Sequence, residues 1–325
     1  MSDAARIFVG TDRSQMIGVK VLEYSIRKHS SVDIRLSPML ELGLPEPSDP
    51  RQSQRTGFSF SRFAIPKLAG YRGKALYLDA DMLVFKDLAE LWNIPFEGAK
   101  VIIQDDLPDE HVHAERIGAP KERIKQCAVM LLDCDRLRWD PAEIIAGLGP
   151  SYTYEQLVYQ LCILRPDEIA YRIPFEWNSL EHFDQNTRLI HYTDMYTQPW
   201  VSPENPFGYL WVAHLREMMD LGRISRSEIE QEVSLGYARP SLMRELDRVG
   251  GERALIAEEV AEYLELDRSL NFVRHKDVYE AKRRRKRSIK EYERKLNRSN
   301  NPSRGLRRSG SSFQGLLRSV RGLFR

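Results

Sequence analysis

Ala75-Leu76-Tyr77-Leu78-Asp79-Ala80-Asp81-Met82-Leu83-Val84 is an apolar run that ends by presenting two carboxylates one residue apart. Its first half is continuous rather than alternating, the pattern of a strand buried on both faces of a largely parallel sheet. Open α/β sheets bind ligands at the carboxyl ends of their strands, so Asp79 and Asp81 are expected beside a ligand. Two aspartates that close repel each other unless a cation neutralises them. Hard oxygen donors suit Mg²⁺ or Mn²⁺, ions commonly held by one or two carboxylates together with substrate phosphates. A bare pair of this kind could equally cap the next turn. The flanking sequence decides.

Phe60-Ser61-Arg62-Phe63-Ala64-Ile65-Pro66, the run from Lys74 to Val84, and Asp87-Leu88-Ala89-Glu90-Leu91-Trp92 together resemble the centre of glycosyltransferase family 8. Far along the chain, Leu189-Ile190-His191-Tyr192-Thr193-Asp194 followed by Gln198-Pro199-Trp200 resembles that family's second signature. The resemblance spans residues 5–210 and implies a GT-A-like nucleotide-sugar-binding fold. It implies transfer of a sugar, with retention, from a UDP-sugar to an unknown carbohydrate, lipid or protein acceptor. By the same resemblance Asp79, Asp81 and His191 hold the metal, with Asp79 shared between metal and ribose. An imidazole ligand favours Mn²⁺ over Mg²⁺. Thr11 and Asp12, at the end of the first strand, then grip base and ribose, with Gly10 allowing close backbone approach. Arg62 is directed at the nucleotide-sugar, as a permanent cation that can meet a phosphate or a carboxylate. Asp105 is expected to bind sugar hydroxyls.

Three positions depart from the family's pattern. Gln126-Cys127-Ala128 stands where many members have Asn-Ser/Ala-Gly. Glu155-Gln156 replaces Asp-Gln, which places Glu155 or Gln156 as the candidate catalytic group near the anomeric carbon. Gln198 replaces a lysine and removes a cation from the diphosphate. Two other readings compete. A haloacid-dehalogenase-type phosphatase also uses D-x-D after an apolar strand, but usually on the first strand. A non-catalytic, membrane-associated protein that keeps a degenerate transferase fold is the other.

The chain of 325 residues has room for one large domain and extensions, and its apolar content of 42% suits a substantial core. Alternating strands and helices argue for an α/β sandwich over residues 1–212, then a helical extension at 213–275. Ser225 with Glu228 reads as a capping box within that extension. Cys127, Cys134 and Cys162 lack CxxC spacing and sit in apolar contexts, so buried thiols are expected. A strand at Arg6–Gly10 leaves no place for a secretory signal, and no long apolar run occurs. The expectation is a cytoplasmic protein.

The overall charge of +2 hides a division. Residues 274–325 hold 18 Lys and Arg against 4 Asp and Glu, while the remainder holds 31 against 43. A basic tail on an acidic body implies an anionic partner. Residues 276–325 read as a partly disordered tail, with the block Lys282-Arg283-Arg284-Arg285-Lys286-Arg287 and a terminal amphipathic helix. There Phe313, Leu316, Leu317, Val320, Leu323 and Phe324 share one face, as in helices that lie on anionic membranes. Peripheral binding at the inner face of the cell membrane is the expectation, with chemistry independent of the tail. No nucleic-acid-binding module accompanies the charge.

Overall fold

The computed structural model describes residues 4–104, 126–248, 250 and 253–300. The α/β architecture expected from the sequence is the one the chain adopts. The main sheet takes its strands in the order β2 (Ile34–Met39), β1 (Ala5–Gly10), β3 (Lys74–Asp79), β6 (Gln126–Asp133), β5 (Val101–Gln104) and β7 (Ile169–Ile173). β1 is parallel to β2 and β3, and β5 is parallel to β7. β6 alone runs antiparallel to its neighbours, so five of the six strands point the same way and the largely parallel sheet expected from the run to Leu78 carries one reversed strand. An unbroken apolar run signals burial on two faces and carries no information about direction, so Ala128 to Asp133 reads as a strand while the reversal of β6 does not show in the sequence.

Both faces of this sheet are covered. Ile7, Val9, Leu76 and Leu78 pack into one core, while Phe8, Ala75 and Tyr77 from the same strands pack into another. Each fully buried Leu or Phe contributes about 1.5–3 kcal/mol, so this alternation accounts for the strand's position at the centre. α1 (Met16–His29) covers one face through Val19, Leu22 and Ile26, and closes with Arg27, Lys28 and His29 against the negative end of its dipole.

A smaller sheet builds the mouth of the site. β4 (Met82–Val84) pairs antiparallel with β9 (Leu189–His191), which pairs in parallel with β8 (Ser179–Leu180). Met82 faces His191 in that register, and Tyr192 N donates to Asp81 O at 2.8 Å. Two signatures widely separated in the chain are thereby fixed side by side.

Along the chain follow α2 (Ile65–Leu68), α3 (Leu88–Trp92), α4 (Pro141–Ala146), α5 (Tyr154–Gln160), α6 (Gly208–Asp220), α7 (Arg226–Ser234), α8 (Ser241–Asp247), α9 (Ala257–Ser269) and α10 (Lys276–Asn300). The capping box of Ser225 and Glu228 opens α7 as expected. α6 straddles residue 212, and its Trp211, Val212 and Leu215 share one core with Ile17, Val21, Leu83 and Ile190. The helical extension is thus packed into the same body as the sheet. No helix among the described residues is long and apolar enough to cross a membrane.

The tail starts differently from expectation. Its first half is the helix α10, laid against the short turn at Pro50–Gln52. Arg285 Nη2 donates to Arg51 O at 2.8 Å, and the Arg51 guanidinium lies 5.5 Å from the Tyr292 ring. Tyr196 and Tyr279 stack with centroids 5.7 Å apart. These polar and aromatic contacts leave no apolar stripe to read. The terminal helix expected at 313–324 lies outside the described residues. Cys127 and Cys134 are buried, the latter with its thiol pushed up to about 12 by burial, whereas Cys162 is exposed, unlike the expectation.

Candidate active site

Asp79 ends β3, Asp81 sits in the turn to β4, and His191 ends β9. One ligand atom from each lies within 4.8 Å of the others. They line a cleft of about 330 Å³ shared with Arg62, Gln15, Met195 and Gln198.

Each of the three is held by a defined partner. Asp79 Oδ1 accepts from the Tyr77 hydroxyl, and Arg62 Nη2 stands 3.6 Å from it. Burial raises the Asp79 pKa; the Arg62 charge opposes this and the Asp81 charge adds to it. Gln198 Nε2 donates to Asp81 Oδ2 at 2.7 Å and to Tyr192 O at 3.1 Å. His191 Nδ1 lies 2.9 Å from Asn178 Oδ1, and Asn178 Nδ2 donates to Gln104 Oε1 at 2.6 Å. With Asn178 Nδ2 donating to Gln104, the atom facing His191 is the amide oxygen, an acceptor that requires a hydrogen on His191 Nδ1. That fixes the tautomer and leaves Nε2 facing Asp81 Oδ1 at 3.1 Å.

This pairing tests whether a metal fits. Asp81 Oδ1 is buried without a hydrogen-bond partner among the described residues. A neutral imidazole there would aim a lone pair at a carboxylate oxygen, which is repulsive unless a proton or a metal lies between them. Burial alone would lower the His191 pKa, but the charges of Asp81 and Asp79 outweigh it and raise the value. The site attracts a cation. Two carboxylates and one imidazole suit a divalent cation.

Arg62 is 6% exposed and carried by the turn Ser61–Ala64. Nη1 donates to Cys127 O, Nη2 donates to the Tyr77 hydroxyl at 3.1 Å, and the guanidinium covers the Tyr77 ring at 4.5 Å. Its nearby charged partner is the carboxylate Asp79, one of the two options open from sequence. Gly10 explains why Tyr77 can reach. A Cβ there would come within 2.3 Å of the Tyr77 hydroxyl oxygen, so the close approach that needs glycine is made by this side chain.

The remaining expected residues are placed differently. Thr11 is buried and donates to Asp12 O at 3.1 Å. The Asp12 carboxylate caps the turn Arg13–Gln15, accepting from Ser14 N at 2.9 Å, and borders a neighbouring cavity of about 780 Å³. Glu155 and Gln156 are not brought to the metal triad. Glu155 is exposed and bridged to Arg55 at 2.7 Å; Gln156 completes a capping box with Thr153 at the start of α5. Tyr154, Val158 and Tyr159 of that helix line the cleft instead. The placement has a local cause: Thr-x-x-Gln is the signature of a helix start, and the Thr153 and Gln156 side chains bond backbone groups there. Asp105 lies outside the described residues.

Tyr77, Asn178 and Gln104 are the site residues that sequence reasoning passes over. Tyr77 was in view as a strand residue; Asn178 and Gln104 carry no motif. Trp200 is fully buried against Trp211, 5.7 Å between ring centroids, and anchors the segment that carries Gln198. Behind it His275 is buried, with its pKa lowered to about 4 by burial. Asp12 and Asp81 act against that shift, and Lys282 adds to it.

Comparison with known proteins gives this geometry a lineage. Residues 14–139 match the family model described as glycosyl transferase family 8. That segment is a glycosyltransferase family 8 domain. The match contains Asp79 and Asp81 but stops before His191, which reaches the family 8 carboxylates through the β4–β9 pairing. A relative, Protein CDI of Arabidopsis thaliana, is 27% identical over 250 residues, covering 69% of this chain and 90% of that protein. The glycosyltransferase GlyE of Streptococcus pneumoniae TIGR4, in its apo form, is 15% identical with a TM-score of 0.45. That alignment covers 72% of this chain and 64% of GlyE. The galactosyltransferase LgtC, crystallised with donor and acceptor sugar analogs, is 14% identical with a TM-score of 0.42, covering 64% of this chain and 94% of LgtC. The chain spans 50% of the bifunctional glycosyltransferase WbbM, another similar structure.

Proposed function

We propose that the protein is a metal-dependent glycosyltransferase that moves a sugar, with retention, from a UDP-sugar to a carbohydrate, lipid or protein acceptor. The observation that carries the reading is the convergence of Asp79, Asp81 and His191 inside a family 8 fold, around an Asp81 oxygen left without a hydrogen bond. A divalent ion held by these three supplies a Lewis acid for the charge that builds on a leaving diphosphate. The protein's own groups set the stage. Gln104 and Asn178 hold His191 in the tautomer that offers Nε2, while Gln198 aims Asp81. Tyr77 and Arg62 hold Asp79 in place and oppose the rise that burial gives its pKa. Cleft walls from Tyr154, Val158 and Met195 would shield a bound donor from water and so protect it from hydrolysis.

The non-catalytic alternative draws on Glu155, which is not at the triad, and on the neutral Gln198. A donor screen separates the two. UDP-sugars, CDP-sugars, GDP-sugars and ADP-sugars are titrated into the full chain with Mn²⁺, and sugar transfer to water is followed by mass spectrometry. Selective binding and turnover of a UDP-sugar supports the proposal; binding without turnover supports the alternative. The basic tail is proposed to hold the enzyme at an anionic membrane surface, on the strength of residues 313–324 and their flanking arginines.

A further inference from the structure

The cleft around the metal triad and the larger cavity beside it share Arg55 and Thr56 in their walls, so the two adjoin. Asp12 at the end of β1 borders the larger part, and α10 walls it with Val278, Lys282 and Arg285. A nucleotide-sugar brings two phosphate charges to the metal triad, and one divalent ion does not balance them together with Asp79 and Asp81.

The nearby cations are mostly committed. Arg62 is bound to Tyr77 and Cys127 O beside Asp79. Arg55 pairs with Glu155 at 2.7 Å, and Arg13 makes a two-pronged pair with Glu232 at 2.8 Å. Gln198 is neutral and tied to Asp81. Arg284 and Arg285 border the larger cavity, Arg285 bound to Arg51 O, and neither lines the metal cleft.

Lys282 is different. Its ammonium reaches from α10 to Met195 Sδ at 3.9 Å, and Met195 is a wall of the metal cleft. It also lies 5.2 Å from the centre of the Tyr279 ring. No carboxylate stands within ion-pair distance of it among the described residues. A thioether and an aromatic face are weak partners that a phosphate displaces easily.

We propose that Lys282 of α10 is the cation that binds the diphosphate of the donor, an inference that rests on the nucleotide-sugar reading above. The helix expected to be a tail dispensable for chemistry then forms one wall of the donor site. Its basic block is divided in use, with Lys282 turned to the nucleotide and Arg283 exposed beside Glu280 at 4.0 Å.

The test is calorimetry on the full chain with Mn²⁺ and either UDP or UMP. Lys282→Gln is expected to weaken UDP about tenfold and UMP by less than about threefold, because UMP lacks the second phosphate. Lys282→Arg keeps the charge and is expected to hold UDP affinity within about threefold of wild type. Arg283→Gln is expected to stay within about twofold, which sets the contribution of diffuse charge. Thermal unfolding confirms that each variant is folded. Unchanged UDP affinity in Lys282→Gln overturns the inference while leaving the donor reading intact, and so does an equal loss in Arg283→Gln. A wild-type protein that binds none of UDP, CDP, GDP or ADP with Mn²⁺ overturns the donor reading and this inference together.

Discussion

Replacing Asn178 with alanine probes the site through a residue that touches neither metal nor substrate. Asn178 is fully buried, and its oxygen lies 2.9 Å from His191 Nδ1. Without it the imidazole loses the acceptor that keeps hydrogen on Nδ1, and the tautomer with hydrogen on Nε2 competes. A buried N–H left unpaired costs about 1–3 kcal/mol, and each 1.4 kcal/mol is about tenfold in an equilibrium constant. Partners in this outer position typically account for about 10–100-fold in metal affinity, which agrees with that range. Asn178→Ala is therefore expected to weaken Mn²⁺ binding, at saturating UDP, by about 10–100-fold. Asn178→Asp keeps an acceptor and is expected to retain most of the affinity, although it forfeits the donor to Gln104. Calorimetry or the free-Mn²⁺ electron paramagnetic signal gives the constants, and circular dichroism verifies folding. Binding by Asn178→Ala within twofold of wild type would refute the claim that His191 is a ligand oriented by this chain of hydrogen bonds.

Acid should release the metal. Burial depresses the His191 pKa but Asp81 and Asp79 more than offset it, so a proton competes for Nε2 at and above the usual histidine range. Mn²⁺ affinity is expected to fall as pH falls through that raised value, and to level off above it; titrations between about pH 6 and pH 8 check the slope. Gly10→Ala places a Cβ against the Tyr77 hydroxyl and should cost about 1–3 kcal/mol of stability by denaturant unfolding, with activity lost as Tyr77 leaves Asp79. Truncation after residue 300 removes the apolar face at 313–324 and is expected to abolish sedimentation with anionic liposomes while leaving UDP affinity unchanged. Equal liposome binding by the two forms would remove the membrane proposal.

The parts legible in the sequence share one property: a local pattern determines them. The apolar run to Leu78 names a central strand because every residue in it is buried, and the carboxylates beyond it stand at the strand's end for the same reason. His191 could be linked to them only through its resemblance, since the β4–β9 register that joins them is a long-range pairing. Asn178 and Gln104 were invisible because a buried amide looks like any loop amide until its partners are known. At Glu155 and Gln156 a plain local signal stands beside the family position. Thr153 to Gln156 spells a helix cap, and the cap is what forms. In α10, dense charge without an apolar stripe suggested a free tail, yet tyrosine stacking and arginine-to-carbonyl bonds dock it.

The central claim meets its most direct test in UDP release from a UDP-sugar by the full chain and by Asp81→Asn. The wild-type protein with Mn²⁺ is expected to release UDP and free sugar slowly without an acceptor, and to stop on chelation. Asp81→Asn removes a carboxylate from the triad and is expected to slow release about a hundredfold or more while remaining folded. Release that persists without metal, that proceeds equally in Asp81→Asn, or that yields inorganic phosphate in place of UDP would contradict the account.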